Sequence, residues 1–383
     1  MPDRSFLHWP FFEPRHRALA EDLEGWAARE LGGMEHGNVD AACRVLAGAL
    51  GRGGWLEHAA VDPGDERSRL DVRMLCLIRE ILARHEGLAD FVFAMQGLGT
   101  GAIQLFGTGA QKETWLPEVR AGRAIAAFAL TESASGSDVA NLATSARRDG
   151  TGWVIDGEKT WISNGGIADF YCLFARTGEP AAGGLSAFLV PGVTAGLEIR
   201  ERLETIAPHP LARLCFHGMK LPREALIGSP GQGFRIAMTV LDVFRSTVAA
   251  AALGFARRAL DESLERVGRR HLFGKTMAEL QMVQGHVADM ALAVDAAALL
   301  VYRAAWTRDS GSERVSREAA MAKLHATEHA QKVIDTAVQL HGADGVRSGA
   351  VVERLYREIR SLRIYEGASD VQRVIIARQA LGG

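Results

Sequence analysis

Cysteine is scarce in this chain, with four in 383 residues. Cys43, Cys76, Cys172 and Cys215 lie far apart, form no Cys-x-x-Cys and have no neighbouring His pair. That argues against a zinc site and a disulfide framework, so no metal is expected and a reducing, cytoplasmic setting suits the chain. An excess of one charge is missing too: 44 Lys and Arg stand against 46 Asp and Glu, for a formal net charge of -2. Without a basic stripe, nucleic acid is not an expected partner, and any anionic ligand must be caught locally. Long apolar runs are also lacking. Thr247 to Phe255 is too short to cross a bilayer, and Ala288 to Trp306 is interrupted by Asp289 and Asp295, so no membrane span is expected. Residues Met1 to Glu24 carry Asp3, Glu13, Glu21 and Asp22, which fits neither a signal-peptide core nor an acid-poor transit peptide. No repeat or low-complexity tract is visible. What remains is a soluble globular composition, 48% hydrophobic and 23% charged, with length for two or three domains.

Along the chain, apolar residues recur at helical spacing from about Glu13 to Ala124, as in Val72, Leu75, Ile78 and Leu82. Near Ile125 the pattern changes to short β-prone runs: Trp153-Val154-Ile155, Phe170 to Phe174, Ser186 to Val190 and Leu214-Cys215-Phe216. After Gly228 to Gly233 long helical patterns return, roughly Phe234 to Arg269, Ala278 to Ser310, Ser316 to Leu340 and Glu353 to Leu362. Separate blocks of helix, strand and helix exclude an alternating βαβ chain and predict an α+β fold. The expected domains are helical over 1–124, β over 125–228 and a helical bundle over 229–383.

Gly97-Leu98-Gly99-Thr100-Gly101-Ala102 satisfies the dinucleotide pattern G-x-G-x-x-G/A. The mechanism of that motif needs a buried strand before it, whereas Asp71 to Met95 reads as helix. Helix packing, or a loop beside a ligand, is the expected use. Three other stretches carry chemistry. Phe128 to Asp138 is a Gly/Ser-rich loop after a strand, able to offer hydroxyls and main-chain amides to a heterocycle or a phosphate. Gly157 to Gly165 places the indole of Trp161 beside the hydroxyl of Ser163, a surface for a planar ring or else a buried strand Trp before a turn. In Arg360 to Gln372 an apolar-aromatic lead-in delivers one carboxylate, Glu366, directly before Gly367. This is either a specially held acid or an exposed helix end with its terminal glycine.

Taken together and in this order, Thr131-Glu132 with Gly136-Ser137-Asp138, Gly157-Glu158-Lys159 with Trp161-Ile162-Ser163, Arg270 to Gly274 with Gln281, Gln339 to Gly342, and Tyr365-Glu366-Gly367 resemble the acyl-CoA dehydrogenase family. The resemblance runs along essentially the whole chain. It implies an N-terminal helical domain, a middle β-barrel or sandwich and a C-terminal four-helix bundle, assembled as a dimer of dimers. It implies FAD lined by Phe128, Leu130, Thr131, Gly136 and Ser137, with Trp161, Ile162 and Ser163 beside the reactive face of the flavin. Arg270, Phe273, Gln281, Gln339, Gly342 and Ala343 would hold the distal half of an FAD bound mainly to a neighbouring subunit, and Ala368 and Asp370 would also lie at the cofactor. Ser137, Asp242, Arg245 and Gly367 would touch the acyl-CoA.

The chemistry implied is removal of the α-proton by Glu366 while a hydride leaves the β-carbon for the flavin, giving a trans-2-enoyl-CoA. Electron-transfer flavoprotein would be the electron acceptor. Burial should raise the pKa of Glu366. Some relatives place the base where this chain has Phe244, which cannot serve. The nitroalkane-oxidising relatives use Asp in place of Glu366. Ala343 replaces the second Gly of a common Gly-Gly pair, and Ala368 replaces a common hydroxyl residue, so weaker flavin binding is expected. His209, between Pro208 and Pro210, is a ligand residue or a turn histidine. Phe91, Phe93, Met95 and Leu98 are candidates for an acyl-pocket wall or ordinary core. Two other functions remain compatible with the sequence: a non-redox flavoprotein acting on a CoA thioester, of lyase or desulfinase type, and a flavin-free binding protein.

Overall fold

The computed structural model describes residues 3–32, 37–65, 67–178, 181–312 and 314–382. Five helices come first: α1 (Pro14–Glu30), α2 (Val39–Arg52), α3 (Val72–His85), α4 (Gly87–Phe106) and α5 (Gly109–Arg120). Eight strands follow: β1 (Ala126–Ala129), β2 (Ser145–Asp149), β3 (Gly152–Ser163), β4 (Phe170–Arg176), β5 (Leu185–Pro191), β6 (Leu197–Leu203), β7 (Leu211–Leu221) and β8 (Leu226–Ile227). The chain then runs through α6 (Gly233–Arg269), a hairpin of β9 (His271–Leu272) and β10 (Lys275–Thr276), α7 (Gln281–Asp309), α8 (Ser316–His341), α9 (Val351–Leu362) and α10 (Ser369–Ala380). The α+β order of helix, strand and helix blocks is as the sequence predicts.

Contacts divide the chain into two compact units. The helical unit collects Met1–Gly33, Asp71–Asp90 and Arg245–Gly383; the sheet unit collects Met34–Leu70 and Phe91–Phe244. The cut passes within α4 and α6, so the N-terminal helices are shared between the units.

In the sheet unit the strands run in the order β6-β7-β3-β2-β4-β5-β8, with β1 also pairing in parallel on β4. Trp153, Ile155, Ile162, Tyr171, Leu173, Phe188, Leu214 and Phe216 form its core. β4 and β5 are buried on both faces, which is why they read as continuous apolar runs. β6 lies at the edge and is largely exposed, with Glu198, Arg200 and Glu201 in its sequence.

The glycine motif lies inside α4, with no strand before it. A Cβ on Gly97 would sit 2.6 Å from the Phe244 ring, one on Gly99 2.6 Å from Ala126 and one on Gly101 2.8 Å from Val240. The glycines let α4 approach β1 and the start of α6 closely. That packing accounts for the motif and removes the dinucleotide-binding reading of it.

In the helical unit, α8 packs on α7, α9 and α10. Its buried side is made largely of alanines, among them Ala319, Ala322, Ala326 and Ala330, so neighbours come close. α9 buries Val352, Leu355, Ile359 and Leu362 at helical spacing. α6 is long and apolar enough to cross a membrane by length and composition, and most of its apolar window is buried in the protein.

Candidate active site

The loop between α9 and α10 carries Glu366, and it is held from α8. At the rim, Arg363 makes two bonds to the Glu328 carboxylate, at 3.0 and 2.7 Å, and the Ser369 hydroxyl donates to the same group at 2.5 Å. At the centre, the Lys323 ammonium donates to the carbonyls of Tyr365, at 2.6 Å, and Gly367, at 2.7 Å. The Gln372 amide adds a third donor, to the Gly367 carbonyl at 2.8 Å. Lys323 is 1% exposed and Gln372 fully buried.

This frame fixes an unusual backbone. Glu366 has φ +52 and Gly367 φ +91, the left-handed region that favours glycine. Glycine suits that conformation, and a Cβ at Gly367 would lie 2.5 Å from the Gln372 amide nitrogen, so a larger residue would have to displace that amide. Glu366 is therefore no helix end: α9 stops at Leu362 and α10 begins at Ser369.

Glu366 as a whole is half-buried, but its Oε2 atom is closed off from solvent and makes no hydrogen bond. Burial pushes the carboxyl above its usual range, against the pull of Arg79, Lys323 and Arg245, while Asp90 pushes the same way as burial. Arg79 is itself tied down, with two 2.8 Å bonds to Asp90 and one of 3.1 Å to Thr247. Burial likewise pulls the Lys323 ammonium down to about 8, with Glu366 opposing and Arg245 assisting. A desolvated acid whose Oε2 makes no hydrogen bond, near an Arg79 and a Lys323 that are bonded elsewhere, can accept a proton without first breaking a hydrogen-bonded ion pair.

In the sheet unit the Gly/Ser-rich loop is built on another buried lysine. Lys159 is fully buried and donates to the Glu132 carboxylate at 2.8 Å and to the Leu130 carbonyl at 3.0 Å. Glu132 also accepts the amides of Ala143, at 2.6 Å, and Thr144, at 2.9 Å. Despite burial, Lys159 and these donors hold the Glu132 carboxyl below its usual range; burial lowers Lys159 to about 8. Two residues on, the β3–β7 register shifts between Lys159 and Ile162, and Trp161 takes φ +58. This bulge leaves the indole 55% exposed.

The remaining residues singled out in the sequence separate by exposure. Thr131, Ser163 and Phe128 are half-buried, and Gly136 and Ser137 are exposed. Ile162 and Leu130 point into the core, so only their main chain is left for a ligand, and the Leu130 carbonyl is already taken by Lys159. Asp242 is half-buried and Arg245 is buried, within electrostatic reach of Glu366. Arg270, Gln281, Gln339, Gly342 and Ala343 are exposed. Phe273 and Gly274 make the two-residue turn between β9 and β10, both with positive φ, and Phe273 is 91% exposed. Asn or Gly would suit that turn better than an aromatic. Ala368 is the N-cap of α10 and offers no side-chain cap, and Asp370 is exposed and paired with Arg373 at 2.8 Å.

His209 stacks on Phe91, with ring centroids 4.4 Å apart. Phe91, Phe93, Met95 and Leu98 are all buried, Phe93 at 1% exposure. Among the described residues no group of three or more His, Cys, Asp or Glu could hold a metal ion. The sequence reading missed Lys323 and Gln372. The available signal was a lysine on the alanine-lined stripe Ala319, Ala322, Ala326 and Ala330, where a charge is out of place.

Three sequence-family models cover almost the whole chain: the acyl-CoA dehydrogenase N-terminal domain over residues 13–123, its middle domain over 127–219 and its C-terminal domain over 231–381. The chain belongs to the acyl-CoA dehydrogenase family. It is 40% identical over 372 residues to the mitochondrial short-chain specific acyl-CoA dehydrogenase of Rattus norvegicus, covering 96% of this chain and 90% of that protein. The butyryl-CoA dehydrogenase of Megasphaera elsdenii superposes with a TM-score of 0.88 at 30% identity, covering 97% and 99% of the two chains. A glutaryl-CoA dehydrogenase of Mycobacterium smegmatis, solved in complex with FADH2, gives 0.89 at 26% identity, covering 97% and 96%. As an acyl-CoA dehydrogenase, the protein is an oxidoreductase of a family that is FAD-dependent. The residues present fit a flavin: an exposed indole on a strand bulge, adjacent hydroxyls, and a glycine, Gly136, with nothing within 4 Å of where a Cβ would stand.

Proposed function

We propose that the protein dehydrogenates a short-chain acyl-CoA to its trans-2-enoyl-CoA, with Glu366 as the base that takes the α-proton. The observation that carries this reading is the Oε2 atom of Glu366, buried and unbonded on a left-handed loop. Such a group suits proton transfer better than structural support, because a structural carboxylate is expected to be bonded. The thioester carbonyl must be polarised for its α-hydrogen to be acidic, and the main-chain N–H of Glu366 is the proposed donor to that oxygen. Ser137, Asp242, Arg245 and Gly367 are proposed to contact the substrate.

FAD, when bound, supplies the acceptor for the hydride from the β-carbon. Thr131, Gly136, Ser137, Trp161 and Ser163 would hold it by side chains and amides, Phe128 by packing, and Leu130 and Ile162 by main chain alone. Arg270, Phe273, Gln281, Gln339, Gly342 and Ala343 are proposed to reach the FAD of a neighbouring subunit, which suits their exposure; Ala368 and Asp370 would complete the set. A homo-oligomer, at least a dimer, follows from this assignment. An electron-transfer flavoprotein is the proposed electron acceptor. The short acyl chain rests on the names of the relatives.

The test is anaerobic mixing of the flavin-loaded protein with acyl-CoAs from butyryl upward, following loss of flavin absorbance. Bleaching by the shorter substrates, absent in Glu366→Gln, supports the reading. No bleaching by any acyl-CoA would favour a non-redox reaction on the thioester.

A further inference from the structure

Glu366 pays a conformational penalty for its φ of +52, since its side chain gains nothing from that region that glycine would not have more easily. Something outside the residue must hold it there. The carbonyls immediately before and after it, those of Tyr365 and Gly367, converge on a single ammonium group, at 2.6 and 2.7 Å. A flip of Glu366 to the right-handed region would reorient the peptides on either side. Lys323, almost completely buried, would then lose an acceptor that no water replaces. The lysine thus makes the relaxed backbone costly. Its choice of acceptors matters as much: it bonds main-chain oxygens, while Oε2 of Glu366 stays unbonded.

Taking Glu366 as the base, we infer that Lys323 is the positioning residue of the reaction: its ammonium, anchored in α8, clamps the carbonyls flanking Glu366 and fixes the backbone that aims the carboxylate. The clamp is separate from the rim bonds of Glu328 to Arg363 and Ser369, which hold the loop without fixing the peptides beside the base. Gln372 shares only the Gly367 carbonyl.

The experiment compares Lys323→Met with Glu366→Gln in the flavin-loaded enzyme, measuring kcat, KM, flavin per chain, melting temperature and the pH profile. Lys323→Met is expected to lower kcat by about 10²-fold, the usual cost of a misplaced catalytic group, with KM and flavin content within about threefold of wild type. The acid limb of its kcat profile should move to higher pH, because one cation facing Glu366 is gone while Arg79, Arg245 and Asp90 remain. Lys323→Gln, which can still donate to one of the carbonyls, should lose less activity with the same movement of the limb. It carries the test if the Met variant does not fold.

If Glu366→Gln keeps its turnover, the base assignment itself fails, whatever Lys323 does. If Glu366→Gln is inactive but Lys323→Met stays within about threefold of wild-type kcat, the clamp is refuted and the base stands. A variant that loses flavin and activity in proportion, with the acid limb unmoved, also overturns the inference, since it marks Lys323 as a structural residue only.

Discussion

Each unit of this protein buries one lysine beside one glutamate, and the two pairs are wired differently. In the sheet unit, Lys159 bonds the Glu132 carboxylate directly, and that carboxylate also accepts two main-chain amides. In the helical unit, Lys323 bonds two carbonyls and leaves the Glu366 carboxylate within its field but unbonded. Both lysines are lowered to about 8 by burial. The carboxylates part in opposite directions: Glu132 is held below its usual range and Glu366 is pushed above it. A carboxylate that holds a loop is saturated with donors, and one that takes a proton is desolvated and left with an open oxygen. With Glu366 taken as the proposed base, the difference would separate support from catalysis within one chain.

The largest expected effect lies on the catalytic side. Glu366→Gln should retain flavin and lose dehydrogenation by about 10³-fold or more, measured by single-turnover bleaching with butyryl-CoA, because a carboxamide cannot accept the proton. Glu132→Gln should do the reverse, leaving a buried ammonium without its counter-charge. A loss of about 3–5 kcal/mol in urea unfolding is expected, and the double variant Glu132→Leu with Lys159→Met should recover much of it. If Glu132→Gln lost activity while keeping full stability, the division of roles would break.

The dependence of stability on pH sharpens the contrast, because the signs are opposite. Glu132 has a lowered folded pKa, so its contribution is present above the ordinary carboxylate range and is lost as pH falls through the folded value. Glu366 has a raised folded pKa, so its contribution is present below the ordinary range and is lost as pH rises through the folded value. Melting curves of the two Gln variants against wild type should therefore diverge with pH. Glu132→Gln should be most destabilising near neutrality. Glu366→Gln should be stabilising there, with the advantage gone in acid. Parallel curves would contradict the assignment.

The smallest expected effect tests how far the Glu366 loop is already held. Ala368 caps α10 without a side-chain bond, and Ala368→Ser should add about 1 kcal/mol by supplying one, read from the melting temperature. Flavin occupancy measured on the same pair tests whether the missing hydroxyl also weakens cofactor binding.

Some of this was readable from residue order. The strands β4 and β5 were visible as unbroken apolar runs because both faces are buried, whereas β6 was not, since an edge strand carrying Glu198, Arg200 and Glu201 has no apolar period to detect. Glu366 was found from Tyr365 and Gly367 on either side. Lys323 escaped because a helical lysine ordinarily reaches solvent, whereas here it is buried and bonded to the loop that carries Glu366. The glycines of α4 fit a dinucleotide pattern in sequence and a packing seam in space.

The sequence by itself determined the blocks of helix and strand, the family motifs and the placing of Glu366 between Tyr365 and Gly367, because periodicity and turn chemistry are local properties. Tertiary structure alone decided which carboxylate is bonded and which is left open. That depends on residues some 40 positions apart meeting in a space closed to water, as Lys323 meets Tyr365 across a separation of 42.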